Sequence, residues 1–159
     1  MAALSNKFVS SFSELYVGTT DASGSADATA MEVFLGGADH DKVTLVAEIG
    51  SISNEANIID VPEFGETYKG KLRGQLDAGQ LDTVLYWAPR NAEHLALQAA
   101  AVSGATQYVT IKWIDGSNVE YVTMKAFVSS FGIDTSFDDV AKANVTFAID
   151  GALTFVSGA

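Results

Sequence analysis

The chain has 159 residues, no cysteine, 20 acidic and 9 basic side chains, and a formal net charge of −11. A chain of this length suits one domain and can bury about two thirds of its unfolded surface without metals or disulfides. The composition excludes disulfides, thiolate catalysis and Cys-ligated zinc, disfavours an ordinary nucleic-acid reader, and, at 48% hydrophobic and 18% charged, excludes a disordered chain.

No apolar run approaches the roughly 18–20 residues of a membrane span, and Met1–Lys7 lacks the apolar stretch of a secretory signal. Neither an anchor nor a leader is expected. The charge is uneven: residues 1–66 hold 11 acids and 2 bases, and residues 67–159 hold 9 acids and 7 bases. Such asymmetry suits a surface that meets copies of itself, although acidity also serves plain solubility.

Residues 1–30 are rich in Ser, Ala, Thr and Gly and are expected to form an N-terminal arm, with short strands at Phe8-Val9 and Leu15-Tyr16-Val17. Thr19–Thr29 holds no bulky apolar residue and reads as loop. Met31–Leu35 reads as a strand closed by Gly36-Gly37. Val43–Ile49 alternates, which predicts one strand with Val43, Leu45, Ala47 and Ile49 on one face. Residues 51–66 are mostly polar and read as a long loop with room for a short strand.

Thr67–Asp77 alternates cleanly, with Tyr68, Gly70, Leu72, Gly74 and Leu76 opposite Lys69, Lys71, Arg73, Gln75 and Asp77. Glycines inside a strand imply a close approach by another backbone or an aromatic ring. Leu81–Trp87 follows as a strand ended by Pro89. Asn91 is a good N-cap for a helix over 92–103, with Gly104 as its terminator and Leu95, Ala99 and Val102 as its apolar stripe. Residues 107–114 and 119–131 form a β-hairpin about Asp115–Asn118, apolar on both faces, so each face needs a cover: the core on one, the helix or a neighbouring subunit on the other. Residues 132–143 read as an acidic loop. Asn144–Val156 reads as one last strand with Val145, Phe147, Ile149, Leu153 and Phe155 inward. The pattern predicts a single domain over 1–159, mainly β: an antiparallel β-sandwich or partial barrel with one flanking α-helix.

Catalytic constellations are sparse. The run Asp39-His40-Asp41 is a thin donor set for a metal, and His94 is expected to face solvent. No glycine-rich phosphate loop or calcium loop is present. Trp87, Trp113, Tyr86 and Tyr121 offer rings for sugar stacking, but their apolar strands suit core packing better. The basic stripe Lys69, Lys71 and Arg73 suits either phosphate contact or a salt-bridge ladder between subunits. No cofactor, metal or enzymatic activity is expected.

From about Ala47 to Gly158 the order of signals resembles the major tail tube proteins of lambda-like, long non-contractile tailed phages. Tyr68-Lys-Gly-Lys-Leu-Arg-Gly74 leads to Leu85-Tyr-Trp87-Ala-Pro89, the helix Leu95–Val102, and Tyr108-Val-Thr-Ile-Lys-Trp-Ile-Asp-Gly116. Then come Met124-Lys-Ala-Phe-Val-Ser-Ser-Phe-Gly132, the acidic loop and Val145-Thr-Phe-Ala-Ile-Asp-Gly151, with Val128–Gly132 the most specific piece. The resemblance implies a structural virion protein, made in the host cytoplasm. Hexameric rings of it stack into a hollow tail tube that meets tape measure, tail terminator and tail-tip proteins. It implies that DNA passes through the lumen without specific binding. Lys69, Lys71 and Arg73 are then candidates for the subunit interface, and Thr146 and Asp150 for the lumen wall. The same fold in a contractile tail, a secretion system or a gene-transfer agent is the near alternative, and a carbohydrate-binding β-sandwich the distant one.

Overall fold

The structure is a computed structural model and describes residues 13–24, 27–116 and 118–157. The Phe8-Val9 strand expected from sequence lies outside them. In chain order the elements are β1 (Glu14–Gly18), α1 (Ala28–Leu35), β2 (His40–Val43), β3 (Val46–Ile49), β4 (Glu55–Val61), β5 (Gly70–Asp77) and β6 (Gln80–Tyr86). They continue with α2 (Ala92–Ser103), β7 (Thr106–Asp115), β8 (Asn118–Asp134), β9 (Lys142–Ile149) and β10 (Thr154–Ser157). The fold is mainly β and antiparallel throughout, as the alternation predicts.

One sheet runs β2-β1-β7-β8-β9-β6-β3, with β10 also paired to β8. The long β8 organises it: β9 pairs with its second half and β10 with its first, both along one edge. Leu15, Leu81, Leu85, Val109, Ile111, Val122, Val145 and Phe147 form the core on one face, which α2 closes with Leu97 and Ala100. Burying such side chains contributes about 1.5–3 kcal/mol each, so this cluster dominates the stability. A second small sheet, β4-β5, stands apart from the first.

The helix expected over 92–103 is present. The Asn91 carboxamide accepts from the amides of Glu93 and His94 at 3.0 and 3.3 Å, and Gly104 ends it at φ 69. Its buried face is His94, Leu97 and Ala100, rotated from the expected stripe: Val102 is 88% exposed. A helix apolar nearly all round gives no unique inward stripe by periodicity.

Met31–Leu35 is not a strand. It belongs to α1, because Asp27 caps the preceding residues by accepting from Ala30 N–H at 2.9 Å. Met31 and Leu35 then fall one helical turn apart and pack with Tyr121 and Val156 on the other side of the sheet. α1, a helix beyond the one expected, covers part of the second face of the β7–β8 hairpin; Phe127, farther along, stays 43% exposed.

Two further strands are broken where alternation suggested continuity. Leu45 adopts φ 59 and its carbonyl accepts from Tyr86 N–H at 2.8 Å, so β2 and β3 separate there and the Leu45 side chain faces out. Gly151 at φ 98 breaks the last strand, after which Val156 is buried and Phe155 is 60% exposed. β8 and β9 reach into the predicted acidic loop from both sides, leaving 135–141 as its turn. Residues 51–66 hold a full strand, β4.

Candidate assembly surfaces

The β4–β5 hairpin is the most unusual surface. Its register places Asp60 opposite Lys71, Ile59 opposite Leu72 and Ile58 opposite Arg73. Cross-strand partners share a face, so one side carries Ile58, Asp60, Lys71 and Arg73. The other carries Ala56, Ile59, Val61, Leu72 and Leu76, and it is open: Ile59 is 49%, Leu72 59% and Leu76 53% exposed. At the tip, Phe64 and Tyr68 are almost fully exposed. An isolated two-stranded ribbon is marginal in water, and an exposed apolar ribbon marks an interaction surface.

A bulge between Ala56 and Ile58 brings Asn57 against Gly74, where a Cβ would lie 2.9 Å from the Asn57 carbonyl oxygen. That is the close backbone approach the strand glycines imply. Lys71 and Arg73 are exposed on β5, and Lys69 lies exposed just before it. Among the described residues none of the three forms an ion pair; those present are Lys42–Glu14, Lys112–Glu32, Lys125–Asp150 and Lys142–Asp139. The hairpin therefore holds three basic groups available to a partner. Sequence reasoning finds the basic stripe and misses the apolar ribbon, because residues 51–66 read as a mostly polar loop with room only for a short strand.

The outer face of β6 and β9 is the second surface. Thr146 donates its hydroxyl to Asp82 Oδ1 at 2.8 Å, and the pairs Gln80–Ala148 and Val84–Asn144 continue the row. Glu48, opposite Val84, adds a carboxylate from β3. Asp150 lies in the break after β9, bound to β8: its N–H donates to the Lys125 carbonyl at 2.8 Å and its carboxylate meets Lys125 Nζ at 3.1 Å. This ion pair holds the Lys125 pKa above its ordinary value. Thr146 and Asp150 thus belong to a small-residue, polar, mainly acidic surface.

The remaining candidates sit elsewhere. His94 is fully buried rather than solvent-facing: its Nδ1 accepts from Ala88 N–H at 3.3 Å, and Nε2 lies 2.9 Å from the Thr44 carbonyl. His40 opens β2, is 4% exposed and packs edge-on against Phe34; burial pushes its imidazole pKa down. No group of three or more metal-ligating side chains converges among the described residues. Two of the four aromatic candidates pack inward: Tyr121 is buried with its hydroxyl on Glu32, and Trp87 packs between His94 and Phe131, while Trp113 is partly buried and Tyr86 is exposed. None of the helices among the described residues is long and apolar enough to cross a membrane.

No protein-family profile matches the sequence, and no curated sequence is similar to it. Solved structures are. A chain of an extracellular contractile injection system, from its PVC sheath/tube terminator in the extended state, superposes with a TM-score of 0.67 at 13% identity, over 94% of this chain and 96% of that one. A chain of the SPP1 tail tube gives 0.66 at 9% identity, over 95% and 80%. A chain from the tail of an empty gene transfer agent particle, refined with C6 symmetry, gives 0.61 at 14% identity, over 89% and 95%. At these identities the likeness speaks of architecture: this chain has the tail tube fold.

Proposed function

We propose that this protein is a structural subunit of a tail tube: copies join into sixfold rings, the rings stack, and DNA passes through the hollow centre. The observation that carries the reading is the β4–β5 hairpin, which presents an apolar face to water in a chain whose fold matches tail-tube machines. A monomer has no use for that face; an assembly covers it. On this reading Lys69, Lys71 and Arg73 belong to a subunit contact, and the Thr146–Asp150 surface faces the lumen. Its carboxylates and the net charge of −11 repel phosphates, so that DNA slides without sticking. The fitting partners are further copies of the chain, then a tape measure, a terminator and tail-tip proteins in a virion.

A contractile tail or a gene-transfer agent is an equally good setting, supported by comparable TM-scores to chains from such particles. Concentrated, purified protein examined by light scattering after size exclusion and by negative-stain microscopy tests the core of the proposal. Rings and hollow tubes are expected. A protein that stays monomeric, and builds no tube with its tail partners present, contradicts it.

A further inference from the structure

The two histidines of this chain are buried in opposite ways. His94 has a partner for each ring nitrogen, the Ala88 N–H and the Thr44 carbonyl. His40 is 4% exposed, and neither Nδ1 nor Nε2 has a partner among the described residues. A buried polar group left unpaired is costly, and native proteins keep few of them.

The seat of the His40 ring is built from apolar groups. His40 opens β2 and pairs with Gly18 of β1. Gly18 leaves room for the ring: a Cβ there would lie 2.5 Å from two carbons of the imidazole. From α1, the Phe34 ring packs edge-on with centroids 4.7 Å apart. At the end of α1 the Glu32 and Phe34 carbonyls already accept from Gly36 and Gly37 N–H. The charged groups around the seat are engaged or turned away. On α1, Glu32 holds Lys112 and Tyr121; between β1 and β2, Glu14 holds Tyr16 and Lys42. Asp39 and Asp41 favour a proton on the ring, but they line a cavity toward α2 with Glu93, and burial outweighs them. The ring is held neutral, its pKa below the ordinary 6.5.

What this ring fastens is α1. An eight-residue helix is too short to persist alone, and this one meets the sheet through the small cluster of Met31, Leu35, Tyr121 and Val156. The Phe34–His40 contact secures its last turn. A protonated ring needs two acceptors, which the seat lacks and which water supplies outside it.

We propose that His40 is a proton-operated latch: protonation expels its ring from the Gly18 seat, and α1 leaves the second face of the β7–β8 hairpin, uncovering Tyr121 and Val156. The core under α2 shares no residue with the α1 cluster, so it stays closed. The device belongs to the single chain and does not rest on the tube reading. The closed form binds the proton less readily than the open form, so opening grows as pH falls below 6.5 and levels off below the closed form's pKa. Glu14 and Glu32 act in a separate window, below their ordinary 4.5.

Hydrogen exchange on the full-length monomer, corrected for intrinsic rates, follows α1 and β8 at about pH 7.5 and about pH 5.5. An imidazole that takes its proton near 6.5 in the open form alone shifts opening about tenfold over this range. Protection across Ala28–Leu35 should fall by that factor while β8 holds. His40→Phe keeps an uncharged ring in the seat and should keep α1 protected at both pH values. His40→Arg carries a charge throughout and should leave α1 unprotected at both. Circular dichroism confirms that each variant is folded; if His40→Arg is not, parent and His40→Phe decide between them. Unchanged α1 protection in the parent overturns the latch. So does a loss that persists in His40→Phe, which assigns it to another group, or an equal loss through β8, which makes the opening global.

Discussion

His94 and Thr44 lock the second helix onto the sheet margin. With Nδ1 accepting from Ala88 N–H, the ring proton sits on Nε2 and donates to the Thr44 carbonyl at 2.9 Å, while Asn91 donates its side-chain amide to the Thr44 hydroxyl at 2.8 Å. Trp87 stacks on the imidazole at 5.9 Å. Three elements thus converge on one buried polar side chain, next to the Leu45 backbone turn at φ 59.

His94→Phe keeps the volume and removes both ring nitrogens. It takes the ring partners from the half-buried Ala88 N–H and from the carbonyl of the exposed Thr44, where water replaces part of what is lost. A loss of about 1–2 kcal/mol is expected, read as a lower urea midpoint with unchanged slope. A variant as stable as the parent would show that these contacts contribute nothing.

The first helix is held by charge. Lys112 and Tyr121 both donate to Glu32, and they hold its carboxyl below the ordinary value of 4.5. On the same sheet, burial acts to raise Glu14, but the donors Lys42, at 2.6 Å, and Tyr16, at 2.8 Å, outweigh it and hold Glu14 low as well. A carboxyl whose folded pKa is depressed contributes stability above its unfolded pKa and loses it as pH falls through the folded value. Stability should therefore decline below about pH 4.5, with the proton uptake belonging partly to these two groups. In Glu32→Gln the decline should be shallower, and the difference from the parent at neutral pH should stay near 1 kcal/mol, since Glu32 is half exposed. Parallel pH profiles for parent and variant would contradict this.

Most of the fold was legible where one pattern dominated. Thr67–Asp77 and the hairpin about Asp115–Asn118 alternate without interruption, and the helix over 92–103 has both its caps written in Asn91 and Gly104. The failures fall where five-residue windows carry two periods. Met31–Leu35 satisfies both a strand and one turn of helix, and only the Asp27 cap decides between them. Leu45 and Gly151 break strands by backbone turns that leave hydropathy unchanged. Of the surfaces, the basic stripe was readable as charge on alternate residues. The apolar ribbon was not, because its partner strand β4 holds Glu55 and Asp60 and looks like loop until it is paired. His94 was misread because a helix so rich in alanine hides which side faces inward.

The hairpin yields an exchange experiment. In the free chain β4 and β5 have only each other, so their amides should exchange well before those of β8, whose strand is paired on both edges. On assembly, protection should rise through Glu55–Val61 and Gly70–Asp77. Leu72→Asp, on the open apolar face, should leave the monomer's melting unchanged and prevent that gain. Equal exchange in monomer and polymer would mean that the hairpin takes no part in the contact.

The lumen assignment can be decided by location rather than by loss of function. Thr146 sits in mid-β9 with its hydroxyl on Asp82, between the Gln80–Ala148 and Val84–Asn144 pairs, so a substitution there disturbs one exposed hydrogen bond and no core contact. In a chain without cysteine, Thr146→Cys supplies a single thiol for a maleimide-bearing gold cluster. Tubes assembled from protein labelled in advance should show density on the axis in averaged micrographs. A mixture with unlabelled protein is needed, since a full set of clusters would crowd the channel. The charge on the same face gives an independent readout. Asp82→Lys with Glu48→Lys reverses two carboxylates of this surface, so if it lines the channel, added DNA should be retained at low salt and released as screening rises. Gold on the outer wall, with DNA retained equally by parent and variant tubes, would place another face of the sheet on the channel and leave the tube itself standing.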